Sequence, residues 1–169
     1  MIHVCAASKV EETLAASGAA HLVTLLSAGS DFARPAAIAP QNHLFLEMND
    51  ITGLQAGLVA PGRSHVEALV AFARRWDRTR PLAINCFAGI SRSTAAAYIV
   101  AAALAPHRGE AELASALRRA APEATPNALL VRHADALLAR QGRMVAAIAA
   151  IGRGAEAREG SPFVLPLGG

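Results

Sequence analysis

Short continuous apolar runs separated by helical periodicities predict strands buried on both faces, with helices between them. Ile2 to Ala6 is the first such run, and Ser8-Lys9-Val10-Glu11 behind it has the spacing of a capping box, opening a helix that Gly18 closes. His21 to Leu26 and His43 to Met48 read as the second and third strands, divided by a Gly/Ser/Pro-bearing loop through Pro40. Asn49 to Arg63 holds three glycines and a proline, so it is expected to be a long surface loop of the kind that carries function. Ser64 is the expected cap of a helix whose Val66, Leu69, Val70, Ala73 and Trp76 share one apolar face. The spacing of Phe72 and Trp76 on it is that of core residues.

Pro81 restarts the chain as a fourth strand, Leu82 to Cys86, and a Gly-containing turn leads into an Ala-rich helix that Pro106 ends. Further helices are expected over Gly109 to Ala120, from Thr125-Pro126 as cap and first helical residue, and over Arg143 to Ile151 before Gly152. Residues 1–152 thus read as a single domain. Residues 153–169 read as a Gly/Pro-rich tail that Phe163, Val164, Leu165 and Leu167 can anchor. The fold class is α/β, with a mostly parallel central sheet of four to five strands flanked by helices. Ligands of such sheets bind at the carboxyl ends of the strands, which directs attention to Cys86.

Composition narrows the function classes. The chain has 169 residues, 53% apolar and 17% charged with mean hydropathy +0.32, which excludes a disordered or extended charged chain. The apolar content is largely alanine, and the run from Thr94 to Ala105 is too short to cross a bilayer, so no membrane partner is expected. The first residues lack the basic region and long apolar stretch of a secretory signal, which points to the cytoplasm. Net charge is +3, with Lys9 the only lysine, and no basic run is interleaved with aromatics, so no nucleic-acid partner is expected. Two cysteines exclude a disulfide framework and turn attention to a reactive thiol.

The chemistry-bearing segment is Asn85-Cys86-Phe87-Ala88-Gly89-Ile90-Ser91-Arg92-Ser93, between a strand and a helix. A loop entering a helix presents the N–H groups of Phe87, Ala88, Gly89, Ile90, Ser91 and Arg92 around a concavity where the dipole favours an anion. Gly89 permits the turn. The same field stabilises a thiolate at Cys86, Arg92 can bind two oxygens of a phosphoryl group, and Ser93 can hydrogen-bond the sulfur as it leaves. The plain alternative makes Cys86 a small core residue and Arg92 a surface side chain, though arginine sits poorly at a positive helix end without an anion. A phosphatase of this kind needs a general acid, for which Asp50 is the choice and Asp31 the fallback. Asp77 reads as a solvated carboxylate among arginines.

These residues resemble the signature loop of cysteine-dependent protein tyrosine and dual-specificity phosphatases, and Asn49-Asp50 resembles their general-acid loop. Thr125-Pro126-Asn127 is similar to a late segment of bacterial members described as predicted protein tyrosine phosphatases. The resemblance implies a phosphomonoester hydrolase acting through a cysteinyl-phosphate intermediate on a phosphorylated protein or small phosphomonoester. It implies Cys86 as nucleophile, Arg92 as phosphate binder, Ser93 as the hydroxyl assisting hydrolysis and Asp50 as acid and base, with no metal and no cofactor. Asn85 departs from the histidine usual before the nucleophile: it can donate a hydrogen bond but brings no positive charge. The competing readings are a phosphate-binding pseudophosphatase with weak or no turnover, and thiol redox or sulfur-transfer chemistry. Cys5 reads as a core cysteine, with a Cys5–Cys86 disulfide as the alternative. His3, His21, His43, His65, His107 and His133 show no metal-ligand spacing, and Arg118-Arg119 reads as a helix end, with contact to substrate as the alternative.

Overall fold

A computed structural model of the chain describes residues 1–168. Five strands form one sheet in the order β3-β2-β4-β1-β5: β1 (Ile2–Ala6), β2 (His21–Leu26), β3 (His43–Glu47), β4 (Leu82–Cys86) and β5 (Phe163–Leu165). β1 to β4 are parallel, and β5 runs antiparallel along the outer edge of β1. The central strand β4 is buried throughout, as its unbroken apolar run requires.

One face of the sheet is covered by α1 (Val10–Ser17) and by Ile38 of the long loop after β2, which pack over Cys5, Leu22 and Ala83. The other face carries α2 (Arg63–Arg75), α3 (Arg92–Leu104), α4 (Glu110–Ala120), α5 (Ala128–Leu137) and α6 (Arg143–Ile151). Every residue of α3 from Arg92 to Ala102 is buried. A helix closed in on all sides must be apolar all round and slender, so the alanine-rich run belongs to the centre of the molecule. Trp76 lies at the end of α2, buried, with its indole N–H donating to Arg80 O at 2.8 Å.

Several helix starts differ from the sequence expectation. Ser8 does not cap α1; a short 3-10 turn precedes that helix, and the Ser8 hydroxyl donates to Glu159 Oε2 instead. Gly18 does close it, at φ +67°. Gly62, not Ser64, stands at the start of α2, and its N–H donates to His65 Nδ1. The cap of α5 is Asn127, whose side-chain oxygen accepts from Leu129 N–H and Leu130 N–H. Thr125 instead accepts from Gly154 N–H, because a distant segment competes for its hydroxyl.

The segment Phe163–Leu165 is built into this body. Phe163 and Leu165 are buried against β1, so the expected anchor is a sheet strand. A chain ending at Gly152 loses that strand and two buried side chains; it is expected to be less stable by about 2–4 kcal/mol in urea unfolding, given the worth of such burial less ordering entropy. An unchanged midpoint would show that the tail is dispensable.

Candidate active site

β4 delivers Cys86 to the carboxyl edge at the middle of the sheet, and α3 begins at Arg92. Between them the chain presses against the end of β1. A Cβ at Gly89 would stand 2.8 Å from Ala6 N, and the backbone there has φ +72°, so both space and conformation demand glycine.

Four carbonyl groups of this loop are taken by its surroundings. Phe87 O accepts from Ala7 N–H at 3.2 Å, Ala88 O from Gly160 N–H at 2.8 Å, Ile90 O from Thr125 N–H at 3.0 Å, and Ser91 O from Asn127 N–H at 3.2 Å. Among the described residues, the N–H groups of Ala88, Gly89, Ile90 and Ser91 donate to no protein acceptor. A loop with its carbonyls held from outside and its amides uncommitted at a helix N-terminus has the chemistry to receive an oxyanion.

The side chains agree with that chemistry. Cys86 and Ser93 are buried, with Sγ and Oγ 3.1 Å apart. Arg92 is only 5% exposed, so it is not a surface side chain. Its Nη1 donates to Met48 O at 2.8 Å, while its buried Nε has no hydrogen-bond partner among the described residues and lies 3.7 Å from Asp50 Oδ2. A guanidinium taken from water with a donor still free calls for negative charge beside it.

Asp50, just past β3, is brought to the loop. Its Oδ1 accepts from Ser91 Oγ at 2.7 Å and from Asn127 Nδ2 at 2.9 Å, while Oδ2 faces Arg92. The base of its own loop is closed by Asn49, whose N–H donates to Val59 O and whose side-chain oxygen accepts from Val59 N–H. Asp31 is exposed in the loop after β2, and Asp77 accepts from Thr79 N–H in a turn beyond α2. Arg118 donates to Pro122 O and Gly152 O, closing the end of α6; Arg119 is exposed.

Cys5 pairs in register with Asn85, and Ala6 with Cys86. Side chains alternate along a strand, so the two thiols face opposite sides of the sheet, an arrangement that cannot be bridged without moving the backbone. Burial pushes the Cys5 thiol up to about 11, leaving it unreactive near neutrality.

Sequence reasoning named Asn127 only within the Thr125-Pro126-Asn127 segment and gave it no part in the site. Its amide faces two ways: the oxygen caps α5, while the nitrogen holds Asp50 and donates to Ile51 O at 3.1 Å. Asparagine is the residue that offers both ends, and that was the available signal. Gly160 could not have been found locally, since its partner Ala88 lies far away in the chain.

No protein-family model and no curated protein matches the chain. Solved structures do. DUSP15 matches with TM-score 0.62 at 17% identity, over 88% of this chain and 90% of that one. Human DUSP28 matches with TM-score 0.59 at 21% identity, over 82% and 94%. The PTP-2 phosphatase of Cydia pomonella matches with TM-score 0.51 at 11% identity, over 96% and 93%.

The receptor reading is checked without any turnover. Tungstate, a phosphate-shaped dianion, is expected to raise the melting temperature by several degrees at about a hundred times its Kd, through mass action on the folded state. Gly89→Ala is expected to abolish that shift and to cost about 1–3 kcal/mol of stability. An equal tungstate shift in both proteins would place the anion elsewhere.

Proposed function

We propose that this chain, which has the fold of the dual-specificity and tyrosine phosphatases, hydrolyses phosphomonoesters through a cysteinyl-phosphate intermediate. The observation that carries the reading is the loop after Cys86, with carbonyls bonded outward and amides uncommitted around a thiol.

The loop amides and Arg92 hold the non-bridging oxygens of the phosphoryl group, and Cys86 reacts as the thiolate. Cys86 Sγ attacks phosphorus in line with the ester oxygen. The S–P bond forms, the P–O bond breaks, and Asp50 Oδ2 gives its proton to the departing alkoxide or phenoxide. Asp50, now a carboxylate, takes a proton from an incoming water, whose oxygen attacks phosphorus. The S–P bond breaks with the electron pair returning to sulfur, and the Ser93 hydroxyl 3.1 Å away donates to it. Phosphate leaves and the starting charges are restored. Ser91 and Asn127 hold Asp50 at the loop for both transfers.

Substrates are phosphorylated proteins or small phosphomonoesters, with aryl phosphates foremost. The fold neighbours carry phosphatase names, and no described helix is long and apolar enough to cross a membrane. The alternative, a binding module that holds phosphate without turning it over, draws on Asn85 standing where an imidazole is usual.

Steady-state hydrolysis of aryl phosphates separates the two. Cys86→Ser is expected to abolish turnover. Asp50→Asn is expected to lower kcat about 100-fold on phenyl phosphate and much less on p-nitrophenyl phosphate, whose leaving group needs little protonation. Asn127→Ser keeps a cap oxygen for α5 but cannot reach Asp50, so it should show the same leaving-group dependence in weaker form. Turnover that survives Cys86→Ser overturns the mechanism, and a wild-type protein that binds tungstate without hydrolysing any aryl phosphate is the binding module.

A further inference from the structure

Asn85 is fully buried in the central strand, immediately before the nucleophile, and so is Thr24 beside it on β2. Apolar residues would fill these places without a desolvation cost, so two polar side chains there need a reason. They are joined: the Thr24 hydroxyl donates to Asn85 Oδ1 at 2.8 Å, and Thr24 Oγ1 lies 3.0 Å from His43 Nε2 on β3.

The proton count gives the chain a direction. Thr24 has one hydroxyl hydrogen, and the carbonyl oxygen of the Asn85 amide can only accept. Thr24 therefore donates inward and has only lone pairs left for His43, which makes His43 Nε2 the donor. The order is His43 Nε2–H to Thr24 Oγ1–H to Asn85 Oδ1. Burial, with the Arg34 charge, keeps His43 below its ordinary value and hence neutral at pH 7. The imidazole is steadied by Phe45, edge-on at 6.1 Å between ring centres, and by Phe32 at 6.2 Å.

We infer that His43 and Thr24 are positioning residues that lock the Asn85 amide, and with it the peptide leading into Cys86, in the orientation the phosphate loop requires. With Oδ1 held toward β2, the amide cannot flip, and its buried Nδ2 is left without a protein acceptor among the described residues. A fixed amide dipole with its positive end unpaired, one residue from Cys86, supplies part of the field that an imidazolium would supply at this place. The chain reaches the nucleophile from the face opposite to Asp50 and Arg92, so it acts on the loop without touching the substrate. The inference rests on the reading of Cys86 as a nucleophile, and it extends that reading to side chains on two further strands.

The test compares two substitutions that each disturb the core but differ in the hydroxyl. Thr24→Val removes the donor, whereas Thr24→Ser keeps it and loses only a methyl group. The rate of Cys86 carbamidomethylation by iodoacetamide at pH 7, followed by peptide mass spectrometry, needs no turnover. Thr24→Val is expected to slow it about tenfold, and to lower kcat on phenyl phosphate by a similar factor with KM little changed, as loss of one buried hydrogen bond allows. Thr24→Ser is expected to stay within about twofold of wild type, in line with a retained bond. His43→Leu, at the outer end of the chain, should slow Cys86 in the same direction and serves if Thr24→Val does not fold. Equal slowing in the Val and Ser variants, or wild-type reactivity in the Val or Leu variant, overturns the inference. The predicted alkylation pattern in a protein that hydrolyses nothing would leave the inference standing and remove the phosphatase reading.

Discussion

A backbone loop that leaves its amides uncommitted depends on other segments to hold its carbonyls in place, and here four of them are held from elsewhere in the fold. The four held carbonyls of the loop after Cys86 find their partners on three pieces of chain: Ala7 just past β1, the tail at Gly160, and the segment before α5 at Thr125 and Asn127. Gly89 lets the loop come close enough to β1 for the first of these bonds. The geometry of the loop is therefore a property of the whole fold.

Charge is handled by the same economy of placement. The net charge of +3 says little about the site, because one buried guanidinium decides its electrostatics. Arg92 is held at Nη1 by the carbonyl of Met48, at the end of the strand that also leads to Asp50. The cation and the carboxylate are thus set by one short stretch, so a shift of either moves the other. Asn127 ties that stretch to α5, with one side chain acting as helix cap and as clamp.

What was legible in the sequence was whatever local chemistry determines. The parallel strands follow from unbroken apolar runs, and α3 from its alanines. Cys86, Arg92 and Ser93 were legible because they lie within one loop and helix start, and Asp50 because a long loop follows β3. Partners chosen across the fold were not. The Ser8 spacing suited a cap, yet Glu159 took its hydroxyl; Thr125 suited a cap, yet Gly154 took its oxygen. Both competitors come from residues after Gly152, which composition marked as tail. A Gly/Pro-rich segment lacks periodicity whether it wanders or is fixed by distant hydrogen bonds, so pattern alone could not separate the two. Thr24 read as an ordinary strand residue, and Asn85 stood out only by its place before Cys86, since the bond that joins them crosses between strands.

In the proposed mechanism phosphorus becomes bonded to Cys86 sulfur. Acid quenching of a turnover mixture within milliseconds, followed by peptide mass spectrometry, tests it directly. A phosphoryl group on the peptide containing Cys86, more abundant in Ser93→Ala because hydrolysis of the intermediate is slowed, is the predicted result. Turnover with no phosphorylated cysteine at any quench time, or with the phosphoryl group on another side chain, would contradict it.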